Sequence, residues 1–171
     1  MAVQYLCKVC RGHLIVKTSI ILAATSLKDR TRRGLILLNP ELGNYTTATH
    51  PSFKIKKGEE YIYTCPICSA QLNSMKYMHM VRLIMIDEKE KEYNIYFSGI
   101  AGEKCTYKIR GHKIEEKIGR DVKIYNKYFE IANSSSGTQT STLVPAGSPE
   151  LLYRSVIKCF IGFLFKWLSI S

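Results

Sequence analysis

Short apolar runs, separated by turn-prone or charged breaks, recur along the first 130 residues and read as strands. "GLILL" (34–38) stops at the turn-like "NPELGN", and "EYIYT" (60–64) follows "KKGE". "MHMVRLIMI" (78–86), the charged "DEKEKE" and "YNIYFSG" (93–99) read as two strands joined by a loop. "AGEK" then turns the chain into "CTYKIR" (105–110). β-Branched and aromatic residues fill these runs, as half-buried pleated surfaces favour. Gly111-His112 predicts a further turn. "KIEEKIG" (113–119) predicts a short helix closed by Gly119, because glycine suits the position just past a helix end. Two stretches carry mixed signals. In "LIVKTSIILAATSLK" (14–28) the branched residues favour strand while Ala23 and Ala24 favour helix, and "DVKIYNKYF" (121–129) fits either period. The pattern gives a mainly β, β-rich α+β fold organised as an antiparallel meander.

The pattern breaks after this body. "ANSSSGTQTSTLVPAGSP" (132–149) is uncharged, rich in Ser, Thr, Gly and Pro, and unable to bury a core. "LLYRSVIKCFIGFLFKWLSI" (151–170) is abruptly apolar. The expected organisation is a β domain over 1–130, a flexible linker over 131–150 and an amphipathic helix over 151–171. On a helical wheel Ser155, Lys158, Gly162, Lys166 and Ser169 share a narrow face. Phe160, Phe163, Leu164 and Trp167 lie on the broad apolar remainder. Such a helix suits a bilayer interface, with Lys158 and Lys166 reaching the headgroups. Its apolar portion is short against the ~20 residues of a span, so a tail anchor ranks behind. Docking against the body or a partner protein is the other reading.

One phrase occurs twice. "YLCKVCRGHL" and "YTCPICSAQL" both spell Y-x-C-x-x-C-x-x-x-L, 58 positions apart. Apart from this phrase the chain shows no internal repeat. A C-x-x-C pair aims two sulfurs at one point when the backbone turns sharply between them. Two pairs supply the four thiolates of a closed tetrahedral zinc site. Pro66 fixes one backbone angle of such a turn, and Gly12 is placed to take a positive φ. Tyr5 and Tyr63 are expected to flank the site as strand residues, with Leu14 and Leu72 packing beneath it.

The two pairs, "CPIC" above all, resemble the knuckles of the zinc-ribbon class. The resemblance covers about 20 residues and implies one structural Zn²⁺ held by Cys7, Cys10, Cys65 and Cys68. Ribbons commonly place about 15–20 residues between the pairs; here 54 intervene, so the insertion must carry its own strands and return to the first knuckle. A redox-active dithiol is the alternative, but a thioredoxin-like pair follows a strand and opens a helix, and Cys7 lies too near the N-terminus for that. Oxidative ejection of zinc gives a weaker, redox-sensor reading. His13, His50, His79 and His112 read as exposed or core residues, and Cys105 as a small buried hydrophobe.

Charge narrows the partners. The chain carries a net charge of +11, which favours an anionic partner such as nucleic acid or an acidic protein. "KDRTRR" contributes Arg30, Arg32 and Arg33. "KIKK" contributes Lys54, Lys56 and Lys57, and "KCTYKIR" contributes Lys108 and Arg110. Cations interleaved with tyrosines suit phosphate contact and base stacking, as in binders of single strands. If the last two segments shared a sheet face they would form one stripe. No phosphate loop, G-x-G-x-x-G, H-E-x-x-H or G-x-S-x-G pattern occurs, so the expectation is a non-catalytic module without a small-molecule substrate. With no convincing secretory signal and unpaired C-x-x-C motifs, the expected location is cytoplasmic, in a reducing compartment, with membrane association through 151–171.

Overall fold

Alternate burial runs without a break through "SIILAATS", and this decides the first ambiguous stretch in favour of strand. The computed structural model describes residues 3–134. Its elements are β1 (Gln4–Leu6), β2 (Ile15–Val16), β3 (Ser19–Ser26), β4 (Arg33–Leu38), β5 (Thr47–Thr49), β6 (Tyr61–Thr64), β7 (Met80–Ile86), β8 (Glu92–Ser98), β9 (Thr106–Arg110), β10 (Lys113–Ile118) and α1 (Val122–Ser134). All strand pairs are antiparallel. The expected mainly β class is therefore correct. One sheet has the order β1-β7-β8-β9-β10, so β7 to β10 form a meander. In the other, β3 pairs with β4 on one side and with β2 and β6, and β4 continues to β5. The remainder of the expected linker and the expected helix over 151–171, with Lys158, Phe160, Phe163, Leu164, Lys166 and Trp167, lie outside the described residues.

The repeated phrase belongs to a larger repeated unit, which corrects the expectation that repetition ends with the ten residues. Each copy is a strand, a knuckle and a hairpin: β1 leads to β3-β4, and β6 leads to β7-β8. The leading strands are exchanged. β1 pairs with β7, opposing Tyr5 to Met85, and β6 pairs with β3, opposing Tyr63 to Ala24. Each unit thus completes the sheet of the other. The 54 intervening residues are the strands that make this exchange.

The core lies between the sheets. Leu22 and Ile36 from one sheet and Val81, Leu83 and Ile95 from the other are buried in a single cluster. A second cluster forms where α1 covers the far face of the meander. Val122, Tyr125 and Phe129, spaced three and four apart, bury one helix face against Tyr77, Tyr96 and Tyr107. That packing decides "DVKIYNKYF" for helix, leaving Ile124 half exposed. Phe129 stacks on Tyr107 at 4.0 Å and on Tyr77 at 4.1 Å between ring centroids.

The expected helix over 113–119 is a strand instead. β10 is the outer strand of the meander, and Gly111 at φ 59° makes the turn that leads into it. A register shift between Ile114 and Glu116 breaks the alternation that would have marked a strand. Gly119 is no helix cap. Its φ is 108°, and a Cβ there would collide with the Lys104 carbonyl oxygen, so the residue is glycine because two backbones meet.

Candidate metal centre

Both knuckles fold by the same local hydrogen bonds. In the first, Cys7 N–H donates to Gly12 O, Arg11 N–H to Cys7 O and Leu14 N–H to Tyr5 O. In the second, Cys65 N–H donates to Ala70 O, Ser69 N–H to Cys65 O and Leu72 N–H to Tyr63 O. Every partner is displaced by 58 positions. The left-handed residue of each turn is Arg11 and Ser69, both at φ 60°. The expectation had placed it at Gly12. That glycine serves closeness instead, for a Cβ on it would stand 2.6 Å from Ile67 Cδ1 of the opposite knuckle. Tyr5 and Tyr63 are buried strand residues, and Leu14 and Leu72 are fully buried beside them, as the phrase implied.

The four sulfurs of Cys7, Cys10, Cys65 and Cys68 lie within 4.8 Å of one another. Across the knuckles, Cys7 Sγ is 3.8 Å from Cys68 Sγ and Cys10 Sγ is 3.9 Å from Cys65 Sγ. A tetrahedron with zinc–sulfur bonds of about 2.3 Å has edges of about 3.8 Å. A disulfide needs about 2.05 Å, and all four thiols are free. The donor set therefore fits a soft tetrahedral metal ion, and zinc suits it best.

Backbone amides prepare the sulfurs for negative charge. Val9 N–H donates to Cys7 Sγ, Gly12 N–H to Cys10 Sγ and Ile67 N–H to Cys65 Sγ, each at 3.4 Å. The Ala70 N–H does the same for Cys68 and draws that thiol down to about 7. In each knuckle the first cysteine is buried and the second exposed. Burial raises the Cys65 thiol, and a metal cation offsets that cost by taking the thiolate directly. None of the four histidines joins this cluster among the described residues. His13 bridges to Leu6 in the backbone, and His50 Nδ1 contacts Ser52 Oγ. Cys105 is buried apart from the site, and burial pushes its thiol up to about 12.

The basic candidates divide into two groups. Lys108 and Arg110 lie on β9, in the other sheet from "KIKK", and are ion-paired with Glu116 at 3.1 Å and Glu115 at 2.7 Å. "KDRTRR" and "KIKK", by contrast, are drawn together. Arg32 grips both carboxylate oxygens of Glu59 at 2.9 and 2.8 Å and donates to the Lys54 carbonyl and the Tyr61 hydroxyl. Ser26 and Tyr61 also donate to Glu59. Arg32 is thus an internal anchor. Arg30, Arg33, Lys54, Lys56 and Lys57 around it are exposed and have no ion pair among the described residues. Sequence gave no sign that Glu59 joins the segments, since "GEE" looks like a solvated charge run.

The Tyr61 hydroxyl, reinforced by Arg32 and Ser26, holds the Glu59 carboxyl down at about 2. A carboxyl depressed in the folded state stabilises it above the ordinary carboxylate range and loses that contribution as pH falls toward 2. Glu59→Gln is expected to be less stable than the parent at pH 7, with the difference shrinking as pH falls through about 4.5 to 3. Urea melts of both proteins at matched pH check this; a difference that stays constant with pH contradicts it.

The chain matches no family model, no curated protein and no solved structure. Its class rests on its own geometry, that of a two-sheet β domain with a tetracysteine metal centre at the junction of two repeated units.

Proposed function

We propose that this protein is a non-catalytic, zinc-stapled binding module whose basic lobe contacts nucleic acid. The convergence of four sulfurs from two chain segments at tetrahedral edge lengths carries the first half of this reading. When bound, zinc supplies cross-linking of the two knuckles. Four thiolates fill its tetrahedral shell and leave no position for a substrate. Structural zinc free energy is folding free energy, so the ion's role is to hold the exchanged units together.

The second half is supported by the lobe around Arg32. Five exposed cations, Arg30, Arg33, Lys54, Lys56 and Lys57, share this region without ion-pair partners among the described residues. Phosphates are the anions that such a cluster meets most favourably, by releasing condensed counterions. Anisotropy titrations of the full chain with fluorescent single-stranded and duplex oligonucleotides test this. Affinity is expected to fall steeply with salt, and the combined change Arg33→Glu and Lys56→Glu to weaken binding at least tenfold and flatten the salt slope. Binding unchanged by both salt and these substitutions contradicts the reading. Binding to anionic vesicles that is lost on removing 151–171 would place the partner at a membrane instead, as the composition of that segment suggests.

A further inference from the structure

A cavity of about 230 Å³ lies between the two sheets, with its mouth at the 39–47 segment and the β8–β9 connection. Protein interiors are close-packed, and voids much larger than a water are few. This one is mainly apolar, walled by Ile20 and Ile36 from one sheet and Leu83, Ile95 and Phe97 from the other. Apolar cavities of about 150 Å³ accept benzene, so this volume takes about nine non-hydrogen atoms.

The two tyrosines of the repeated phrase both line this cavity. They differ in one respect. The Tyr5 hydroxyl donates to the Pro40 carbonyl at 2.7 Å. Tyr63 is 4 % exposed, and its hydroxyl makes no hydrogen bond to any described residue. A buried hydroxyl without a partner is costly, and it is relieved by an acceptor brought into the cavity. Charge at the mouth is mixed, with Glu41 and Glu103 against Lys104. The Glu103 carboxylate is already occupied by the Ser98 and Tyr125 hydroxyls. An ionised ligand would lose its hydration to apolar walls and gain no counter-charge inside.

We infer that this cavity is a binding site for a small, uncharged, largely apolar ligand of about nine non-hydrogen atoms, carrying a hydrogen-bond acceptor for the Tyr63 hydroxyl. The site is independent of the nucleic-acid reading, because it lies in the interior and uses none of the basic residues. It gives the asymmetric fate of the repeated tyrosines a purpose: one hydroxyl closes the 39–47 segment onto β1, and the other is left for the ligand.

Acetophenone, which has one ring and a carbonyl acceptor, is the test probe, with ethylbenzene lacking the acceptor and benzoate carrying a charge. NMR titrations of the zinc-loaded full chain would follow the side chains of Ile36, Leu83, Ile95 and Phe97. The expected result is saturable shifts at these residues with acetophenone and none with benzoate. Tyr63→Phe removes a single oxygen and is expected to weaken acetophenone about threefold to tenfold while leaving ethylbenzene within about twofold. Shifts that do not saturate or that map elsewhere, benzoate binding as tightly as acetophenone, or equal loss of both neutral probes in Tyr63→Phe would overturn the inference.

Discussion

The Cys65→Ser chain is expected to lose its metal and to fail to fold. Cys65 is buried, and its sulfur is one of four that close the contact between the repeated units. Structural zinc contributes on the order of 10–16 kcal/mol in small zinc-dependent domains. Whole domains of this size are stable by only about 5–15 kcal/mol. Losing a thiolate therefore removes as much free energy as the fold has in reserve. The leading strands of each unit are short, β1 having three residues and β6 four, and each pairs with the other unit. Without the staple neither strand has a reason to cross. Circular dichroism together with metal analysis checks this. Cys105→Ser is the control: Cys105 is equally buried but stands outside the cluster, so this variant is expected to keep its metal and its strands.

Phe129→Ala is expected to destabilise the zinc-loaded protein by about 3–5 kcal/mol, as deletion of a fully buried aromatic ring does. Phe129 is 1 % exposed and stacks against both Tyr107 and Tyr77. Its loss opens a void between α1 and the meander that the rigid neighbouring rings cannot close. The effect falls on the second core, away from the metal, so zinc content should stay unchanged. Ile124→Ala on the exposed side of the same helix should cost less than about 0.5 kcal/mol. Urea unfolding of the three proteins decides it, and a Phe129→Ala loss below about 1 kcal/mol would contradict the packing described for α1.

The metal ligands and most strands were legible because each carries a local signal. Two C-x-x-C pairs name their own chemistry, and β4, β6, β7, β8 and β9 are apolar runs bounded by turns. What escaped depends on contacts between distant residues. β10 lost its alternation to a bulge, and Gly119 imitates a helix cap while it makes room for the Lys104 carbonyl. α1 is helical because Val122, Tyr125 and Phe129 meet a wall of tyrosines, and no spacing within nine residues could show that wall. Gly12 was assigned to a backbone angle when its reason is Ile67, 55 residues on. The repeated unit stayed hidden because its hairpins share topology rather than residues.

The same holds for the surface. Two basic segments 20 residues apart in sequence become one lobe only because Arg32 reaches Glu59 and the Lys54 carbonyl. "KIKK" and "KCTYKIR" looked equally suited to combine, yet they belong to different sheets, and the second is neutralised by Glu115 and Glu116.

The central claim is that four sulfurs from two exchanged units hold one zinc. Zinc K-edge absorption on protein purified without added metal tests it most directly. The account predicts about one zinc per chain in a shell of four sulfurs at about 2.3 Å. A folded protein without metal, or a shell that includes nitrogen or oxygen in place of a sulfur, would contradict it.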